Sequence, residues 1–291
     1  MQAAAESFAS TTAHVSIARA LRESELEACD ANLLLQAALG VNRAYLAAHH
    51  DQILGPRQAA LFDELVQRRR AGEPTAYILG EREFYGMNFK ITPAVLIPRP
   101  ETELLVELAL ERMPHGHSCK VLELGTGSGT IALVLARYRP LTRITAVDCS
   151  EEALAVARQN AETLLGPESR GIVFTKSDWF DALDGETYHL IISNPPYVAS
   201  GDAHLRQGDV RFEPGQALNG GAGGLDCIHQ IIQRAPSRLR KGGWLLFEHG
   251  YDQADACLEL LAQSGFTRLF CADDLAGIPR VSGGRIEDGM L

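Results

Sequence analysis

The sequence contains no hydrophobic run of the length that a membrane-spanning helix requires. None of its stretches approaches the roughly 20 consecutive apolar residues needed to cross a bilayer. The N-terminal segment MQAAAESFASTTAHVS has neither the basic region nor the apolar region of a secretory signal peptide. These absences predict a cytoplasmic protein with no membrane partner.

The sequence also lacks closely spaced cysteine pairs. Its six cysteines include no C-x-x-C arrangement, and cytoplasmic proteins of this size rarely carry disulfides. We therefore predict free thiols. The stretch HGHSC, from His115 to Cys119, is better explained as a loop before a strand than as a metal site, so no bound metal is expected.

An excess of positive charge is missing as well. The chain has 27 basic and 37 acidic residues, which gives a formal net charge of −10. A protein that grips duplex phosphates normally presents a basic face, so direct nucleic-acid binding is not expected. The one tight basic run, Arg68 to Arg70, falls at the end of a predicted helix, where cations complement the helix dipole.

Residues 1–72 are predicted to form a small helical domain. In DANLLLQAALG, Asp30 is a plausible N-cap and Gly40 a plausible stop. Four apolar side chains of RQAALFDELVQRRRAG fall on one helical face: Leu61, Phe62, Leu65 and Val66. Nothing in this domain indicates catalysis.

Residues 73–100 change character. Strand-forming residues surround Tyr85-Gly86, which predicts a β-hairpin with its turn at that dipeptide. Pro98 and Pro100 stiffen the chain that follows. This segment is interpreted as a linker between two domains.

Residues 101–291 are predicted to form an α/β domain. Strand and helix patterns alternate from Lys120 onward, with predicted strands at KVLELG, RITAVD, GIVFTKSD, YHLIISN and GGWLLFEHG. This alternation is typical of a mostly parallel, doubly wound sheet. The strand order is expected to reverse between the first and fourth strands, and RVSGGRIED is expected to close the sheet as an antiparallel edge.

A glycine-rich loop follows the first predicted strand of this sheet. Its glycines alternate with small polar residues, in the order Gly125, Thr126, Gly127, Ser128 and Gly129. A dinucleotide fingerprint would need glycine where Thr130 stands, and the Gly-Lys-Ser/Thr of a phosphate-binding P-loop is absent. With Glu123 two positions earlier, the pattern is instead similar to the E-x-G-x-G-x-G of S-adenosylmethionine-dependent methyltransferases.

Polar and aromatic residues end the next two strands. Asp148 ends RITAVD, where a carboxylate can accept hydrogen bonds from both ribose hydroxyls of an adenosine. In SDWF, Trp179 can supply a flat wall for the adenine ring, and Asp178 an acceptor for its amino group. Because parallel strands end at one edge, these residues are expected to share a cofactor site with the glycine loop.

The fourth strand ends in Asn194-Pro195-Pro196-Tyr197. The Asn194 side-chain oxygen and the Pro195 carbonyl can accept both N–H bonds of a planar NH2 group and aim its nitrogen at a methyl donor. The two prolines fix the direction of that carbonyl, and Tyr197 can pack on the flat face of the amide. The same acceptors stabilise the positive charge that develops on nitrogen, so Asn194 and Pro195 are the candidate catalytic residues.

The Asn194 to Tyr197 sequence predicts a substrate with a planar NH2 group, but it does not indicate whether that group belongs to a glutamine or to a nucleobase. A DNA adenine N6-methyltransferase usually carries a target-recognition domain, which the residues after Tyr197 leave little room for. The acidic charge disfavours this class and an RNA guanine methyltransferase alike. A regulator that only senses S-adenosylmethionine would not need the corner at all.

Over almost its full length the chain resembles the HemK (PrmC-type) protein-glutamine N5-methyltransferases. The resemblance rests on RRRAGEPTAYILGEREFYG, VLIPRPETELLVE, ELGTGSGTIAL, SNPPYV, HLRQGDVRFEPGQAL, FEHGYDQ and DLAGIPRV. The glycine loop and SNPPYV are shared with DNA and RNA enzymes, whereas IPRPETE and DVRFEP are more specific. The ribosomal-protein glutamine methyltransferases are close relatives and remain the nearest alternative.

The resemblance implies a helical N-terminal domain, a hairpin linker and a Rossmann-like S-adenosylmethionine-dependent catalytic domain. It implies cofactor contacts from the glycine loop, Asp148, Trp179 and Asn194, with S-adenosyl-L-homocysteine as product. The substrate would be the glutamine in the Gly-Gly-Gln motif of class 1 peptide-chain release factors, held by Asn194 to Tyr197. Residues 1–72 are then expected to help recognise that protein, and Arg99 and Glu101 to order the pocket entrance.

Overall fold

The computed structural model describes residues 15–287. Within them the chain forms two compact units that divide between Gly80 and Glu81. The expectation that concerns a signal peptide falls on residues that lie outside the described range.

The first unit is helical, as predicted. Its described part contains α1 (Ile17–Glu23), α2 (Ala28–Leu39), α3 (Arg43–Ala48), α4 (Pro56–Arg70) and α5 (Thr75–Leu79). Helix α4 buries Phe62, Leu65 and Val66, whereas Leu61 is 41% exposed. The prediction that Leu61 joins the buried face is therefore wrong, because the core closes over the side of α4 that carries the other three.

Asp30 ties three helices of this unit together. Helix α2 begins two residues before Asp30, so the predicted capping role is wrong. The Asp30 carboxylate instead accepts hydrogen bonds from Arg69 Nε at 2.6 Å and Thr75 Oγ1 at 2.7 Å. Arg68 forms an ion pair with Glu73 at 2.6 Å. Two arginines of the basic run thus bind carboxylates of their own unit.

A β-hairpin opens the second unit. Its strands are β1 (Glu81–Phe84) and β2 (Met87–Lys90). Tyr85 and Gly86 form the predicted turn with φ values of 51° and 75°, the backbone that a two-residue hairpin turn requires. Asn160 accepts a hydrogen bond from the Lys90 N–H at 2.8 Å and donates to the carbonyls of Lys90 and Ser128. This one amide therefore joins the hairpin to the glycine loop.

A seven-stranded sheet forms the centre of the second unit. Its strands are β3 (Lys120–Leu124), β4 (Arg143–Asp148), β5 (Ile172–Lys176), β6 (Tyr188–Ser193), β7 (Leu239–Glu248), β8 (Thr267–Asp273) and β9 (Pro279–Arg285). They follow the order β5-β4-β3-β6-β7-β9-β8. The first five of this order are parallel, which confirms the predicted class.

The strand order reverses at β3, as predicted. Chain connections run from β3 to β4 and β5 on one side, and from β6 to β7 on the other. Because crossover connections are right-handed, this reversal places the connecting helices on opposite faces of the sheet. The helices of this unit are α6 (Thr102–Arg112), α7 (Thr130–Tyr138), α8 (Glu151–Leu165), α9 (Asp226–Arg234) and α10 (Ala254–Gln263).

The expectation that RVSGGRIED forms an edge is wrong. Strand β9 is antiparallel but lies between β7 and β8, and β8 is the edge strand. Gly283 and Gly284 are closely enclosed in this interior strand, because the Leu245 carbonyl and the side chains of Phe266 and Phe270 fill the space that a Cβ would take. A Cβ on Gly283 would lie 2.7 Å from Phe270, and one on Gly284 would lie 2.8 Å from Phe266. A glycine-rich strand of this kind resembles an edge in sequence although it is buried.

Among the helices between residues 15 and 287, none combines the length and apolar character needed to cross a bilayer.

Candidate active site

The carboxyl ends of the parallel strands border a pocket within the second unit. Strand β3 contributes Glu123, β4 contributes Asp148, and the segment after β6 contributes Asn194. The pocket lies at the reversal of strand order, where open α/β sheets bind ligands. The three sequence-predicted groups are therefore brought to one place.

The glycine loop is fastened to the neighbouring strand by its backbone. The Thr126 N–H donates to the Val147 carbonyl and the Gly127 N–H donates to Asp148 Oδ2, both at 2.9 Å. Asp148 Oδ1 accepts from the Ser150 N–H at 2.9 Å. Asp148 therefore holds the loop in place, while its carboxylate keeps further lone pairs for a ligand.

Gly129 serves the packing of α7. It has a φ of 83°, and a Cβ at this position would lie 2.9 Å from Leu133 Cδ1 and 3.2 Å from Ala157 Cβ. Only glycine combines this left-handed backbone with so close an approach between two helices. Gly129 lies behind the pocket and is not among the residues that line it.

Glu123 is a buried carboxyl, 1% exposed, beneath the loop. Its Oε2 accepts hydrogen bonds from Thr126 Oγ1 at 2.7 Å and from the Ala132 N–H at 3.1 Å. Burial outweighs these bonds and raises the pKa of Glu123 to about 8. Glu123 thus joins the loop to the first turn of α7 and carries a proton at neutral pH.

Trp179 occupies a strained position at the side of the pocket. Its φ is 47°, in the left-handed region that bulky residues rarely adopt. The Ser177 hydroxyl stabilises this backbone by donating to the Trp179 carbonyl at 2.9 Å and accepting from the Ala182 N–H at 3.0 Å. Asp178 also lines the pocket. Strain of this kind is concentrated at functional sites, and here it holds the indole beside the glycine loop.

The ribose-binding role that the sequence predicts for Asp148 can be tested. If Asp148 has that role, Asp148→Ala should weaken the binding of S-adenosylmethionine at least about 10-fold, since a charge-assisted acceptor and the anchor of Gly127 are lost together. Isothermal titration of the purified variant measures this effect. The matched control is Asp184→Ala, which removes an exposed carboxylate outside the pocket. An unchanged dissociation constant for Asp148→Ala would refute the ribose assignment.

The Asn-Pro-Pro-Tyr corner is supported by a chain of hydrogen bonds from below. Asn194 Nδ2 donates to Thr102 Oγ1 at 3.1 Å, and the Thr102 hydroxyl donates to Glu248 Oε2 at 2.7 Å. The Tyr197 hydroxyl donates to the other oxygen of Glu248 at 3.0 Å. Thr102 and Glu248 are 4% and 1% exposed. Burial raises the pKa of Glu248 and that of Tyr197.

A second buried carboxylate clamps two segments that line the pocket. Glu213 accepts a hydrogen bond from the Ile97 N–H at 3.0 Å and forms an ion pair with Arg99. The two specific sequence stretches IPRPETE and DVRFEP therefore bind each other. The clamp brings Pro98 and Pro214, which both line the pocket, to the same rim.

The structure separates the predicted residues into two groups. Those that line the pocket are Glu123, Gly125, Thr126, Gly127, Ser128, Asp148, Asp178, Trp179, Asn194 and Pro196. Gly129, Pro195 and Tyr197 are not among the lining residues. Sequence reasoning missed the side chains that hold the site in place, which are Thr102, Asn160, Ser177, Glu213 and Glu248. The partners of Ser177 are local, whereas those of the other four are distant in the chain. Only membership of unusual sequence stretches pointed to Thr102, Glu213 and Glu248.

The charge of the lining is one-sided. Among the described residues that border the pocket are the acidic side chains Asp148 and Asp178 and the protonated Glu123, and none that is lysine, arginine or histidine. Such a lining attracts a cation and repels the phosphates of a nucleotide.

Comparisons with known proteins bear on both units. A family model described as the PrmC N-terminal domain matches residues 13–80, and one described as the methyltransferase small domain matches residues 101–211. A release factor glutamine methyltransferase of Burkholderia pseudomallei is 49% identical over 272 residues, which cover 92% of this chain and 95% of that protein. A release factor glutamine methyltransferase of Bordetella pertussis is 47% identical over 265 residues, covering 91% and 97%.

Solved structures share the fold at lower identity. A T. thermophilus 16S rRNA methyltransferase in complex with AdoMet and guanosine is 20% identical and has a TM-score of 0.51. The match covers 71% of this chain and 50% of that one. At this identity the likeness shows a common fold.

Proposed function

The chain belongs to the release factor glutamine methyltransferase family, and on that premise we propose that it methylates the glutamine of the Gly-Gly-Gln motif in class 1 peptide-chain release factors. The methyl group would pass from S-adenosylmethionine to the side-chain amide nitrogen, N5. The observation that supports the proposal is the position of Asn194, which lines the pocket while its side-chain nitrogen donates to Thr102.

The residues that line the pocket suit S-adenosylmethionine by charge and by chemical character. Bound there, this cofactor would supply an electrophilic methyl group on a sulfonium centre, and the acidic lining complements its positive charges. Asp148 offers acceptors for ribose hydroxyls, and the half-buried Trp179 offers a flat wall for adenine. The backbone of the glycine loop allows a ligand to approach closely, since it has no side chains at Gly125 and Gly127.

Asn194 and Pro195 have the chemistry that an amide substrate requires. The amide nitrogen is a weak nucleophile because its lone pair is delocalised, so the protein must hold it in line and stabilise its developing positive charge. The Asn194 side-chain oxygen and the Pro195 carbonyl are the acceptors proposed for its two N–H bonds. The methylated nitrogen loses its extra proton after transfer, and the mechanism therefore uses no general base.

The division of labour along the chain is also part of the proposal. Residues 1–72 are assigned to recognition of the release factor, residues 73–100 to a hairpin linker, and residues 101–291 to catalysis. The match of the PrmC N-terminal domain model to residues 13–80 supports a distinct role for the helical part.

A side-by-side transfer assay tests the proposed substrate. Methyl-labelled S-adenosylmethionine is offered with a class 1 release factor, with ribosomal proteins, and with duplex DNA. We expect label in the release factor alone, and none when the glutamine of its Gly-Gly-Gln motif is replaced by alanine. Label found only in a ribosomal protein or only in DNA would overturn the proposed substrate.

A further inference from the structure

A buried relay of hydrogen bonds lies beneath the acceptor corner. It runs from Asn194 through Thr102 to Glu248 and ends at Tyr197, with heavy-atom distances of 3.1, 2.7 and 3.0 Å. The chain brings these groups together from the start of α6, the end of β6 and the end of β7. Thr102 lines the pocket, whereas Glu248 is buried and is not among the lining residues, so the role of Glu248 has to be exerted through Thr102, Asn194 and Tyr197.

The relay has a direction that its hydrogen atoms determine. Thr102 has one hydroxyl hydrogen, and a carboxylate oxygen offers only lone pairs. Burial raises the pKa of Glu248, but the relay requires its ionised form, in which Oε1 accepts from Tyr197 and Oε2 accepts from Thr102. In that form the hydrogen between Thr102 and Glu248 belongs to Thr102. Thr102 then has only lone pairs left for Asn194, so the NH2 end of the Asn194 amide must face Thr102. The oxygen of that amide is left for a ligand.

We propose that Glu248 is a positioning residue which, through Thr102, orients the Asn194 amide so that its oxygen accepts a hydrogen bond from the substrate. A reversed amide would present two N–H donors to the substrate NH2 group and could not hold it. The inference rests on the proposed function, because that function requires an acceptor at Asn194. Glu248 also fixes the Tyr197 ring by accepting its hydroxyl hydrogen.

The direction of the relay predicts that a second substitution can restore activity lost in a first one, a result that a simple loss of packing would not produce. Asn194→Asp places an acceptor against Thr102. The single hydroxyl hydrogen of Thr102 can then bond to only one of two carboxylates, that of the new aspartate or that of Glu248. Glu248→Gln supplies an NH2 donor at the other end, so that the hydrogen bonds can run from Gln to Thr102 to Asp. We expect each single variant to lower kcat about 10-fold or more. The kcat of the double variant should be about 10-fold higher than that of Asn194→Asp alone.

Thr102 provides the matched control. Thr102→Val removes the hydroxyl that links the two ends of the relay, so in this background Glu248→Gln should no longer raise the kcat of Asn194→Asp. Thr102→Ser keeps the hydroxyl and should retain the rescue. The inference would be overturned if, with Thr102 present, the kcat of the double variant were reduced by the product of the two single-variant reductions. It would also be overturned if Glu248→Gln still raised the kcat of Asn194→Asp in the Thr102→Val background.

An activity-independent measurement separates this inference from the proposed function. In the unmodified protein without substrate, the Asn194 side-chain NH2 signals should show a nuclear Overhauser effect to the Thr102 methyl group, since the two side chains are hydrogen-bonded. Absence of this effect overturns the positioning role by itself. A protein that shows it but methylates no release factor would contradict the proposed substrate and leave the orientation of Asn194 supported.

Discussion

Replacing Asn194 with alanine should lower turnover about 100-fold or more while S-adenosylmethionine still binds. The side chain offers the acceptor that a reacting amide needs most when positive charge develops on its nitrogen, and loss of one such preorganised contact has this magnitude. The binding determinants of the cofactor, among them Asp148 and Trp179, are left in place. Single-turnover methylation of the release factor, with saturating cofactor, measures the effect.

The matched control for this variant is Asn88→Ala, which removes an exposed amide from β2 that lies outside the pocket. Its turnover should equal that of the unmodified protein. Because Asn194 also lines the pocket, S-adenosylmethionine should bind more weakly to Asn194→Ala but should still bind. Normal single-turnover rates in that variant would contradict the role given to the corner.

Replacing Glu123 with glutamine stabilises the second unit at alkaline pH. An unfolded chain ionises this carboxyl near pH 4.5, whereas in the folded protein burial raises the pKa of Glu123 to about 8. Folding therefore becomes less favourable as the pH rises from 4.5 to 8, by at most about 5 kcal/mol, and the penalty is constant above that range. Glutamine has no proton to lose and keeps an acceptor for Thr126 and Ala132.

Urea unfolding followed by tryptophan fluorescence measures this difference. Both tryptophans of the chain, Trp179 and Trp244, belong to the second unit, so the signal reports that unit. Without cofactor, the variant should match the unmodified protein near pH 4.5 and exceed it increasingly up to pH 8. The control Glu162→Gln, at an exposed position of α8, should show no such trend. A pH-independent difference for Glu123→Gln would contradict the buried, protonated state.

Local patterns predicted the parts of the site that short segments build. The glycine loop, the carboxylate after β4 and the corner after β6 are each contained in a few consecutive residues, and alternation of strands and helices brings them to one edge. The parallel strands and the reversal beside β3 follow from the same alternation, because right-handed crossovers leave few other arrangements.

Contacts between distant residues were not predictable in this way. Thr102 and Glu248 are hydrogen-bonded although 146 positions separate them, and Arg99 and Glu213 form an ion pair across 114 positions. No periodicity encodes such partners. In its interior place, β9 has glycines in close contact with Leu245, Phe266 and Phe270, and the sequence of β9 alone does not contain these partners.

The span of the relay has a consequence for the order in which a newly made chain acquires its functions. The glycine loop and Asp148 are complete once β4 has been synthesised, whereas the residue that orients Asn194 is the last one of β7, about 100 residues later. A ribosome-bound chain that ends between Trp179 and Glu248 carries the glycine loop, Asp148 and Trp179 for the methyl donor, but not the residue proposed to orient Asn194. Competence for transfer is thus the last property that the nascent enzyme gains.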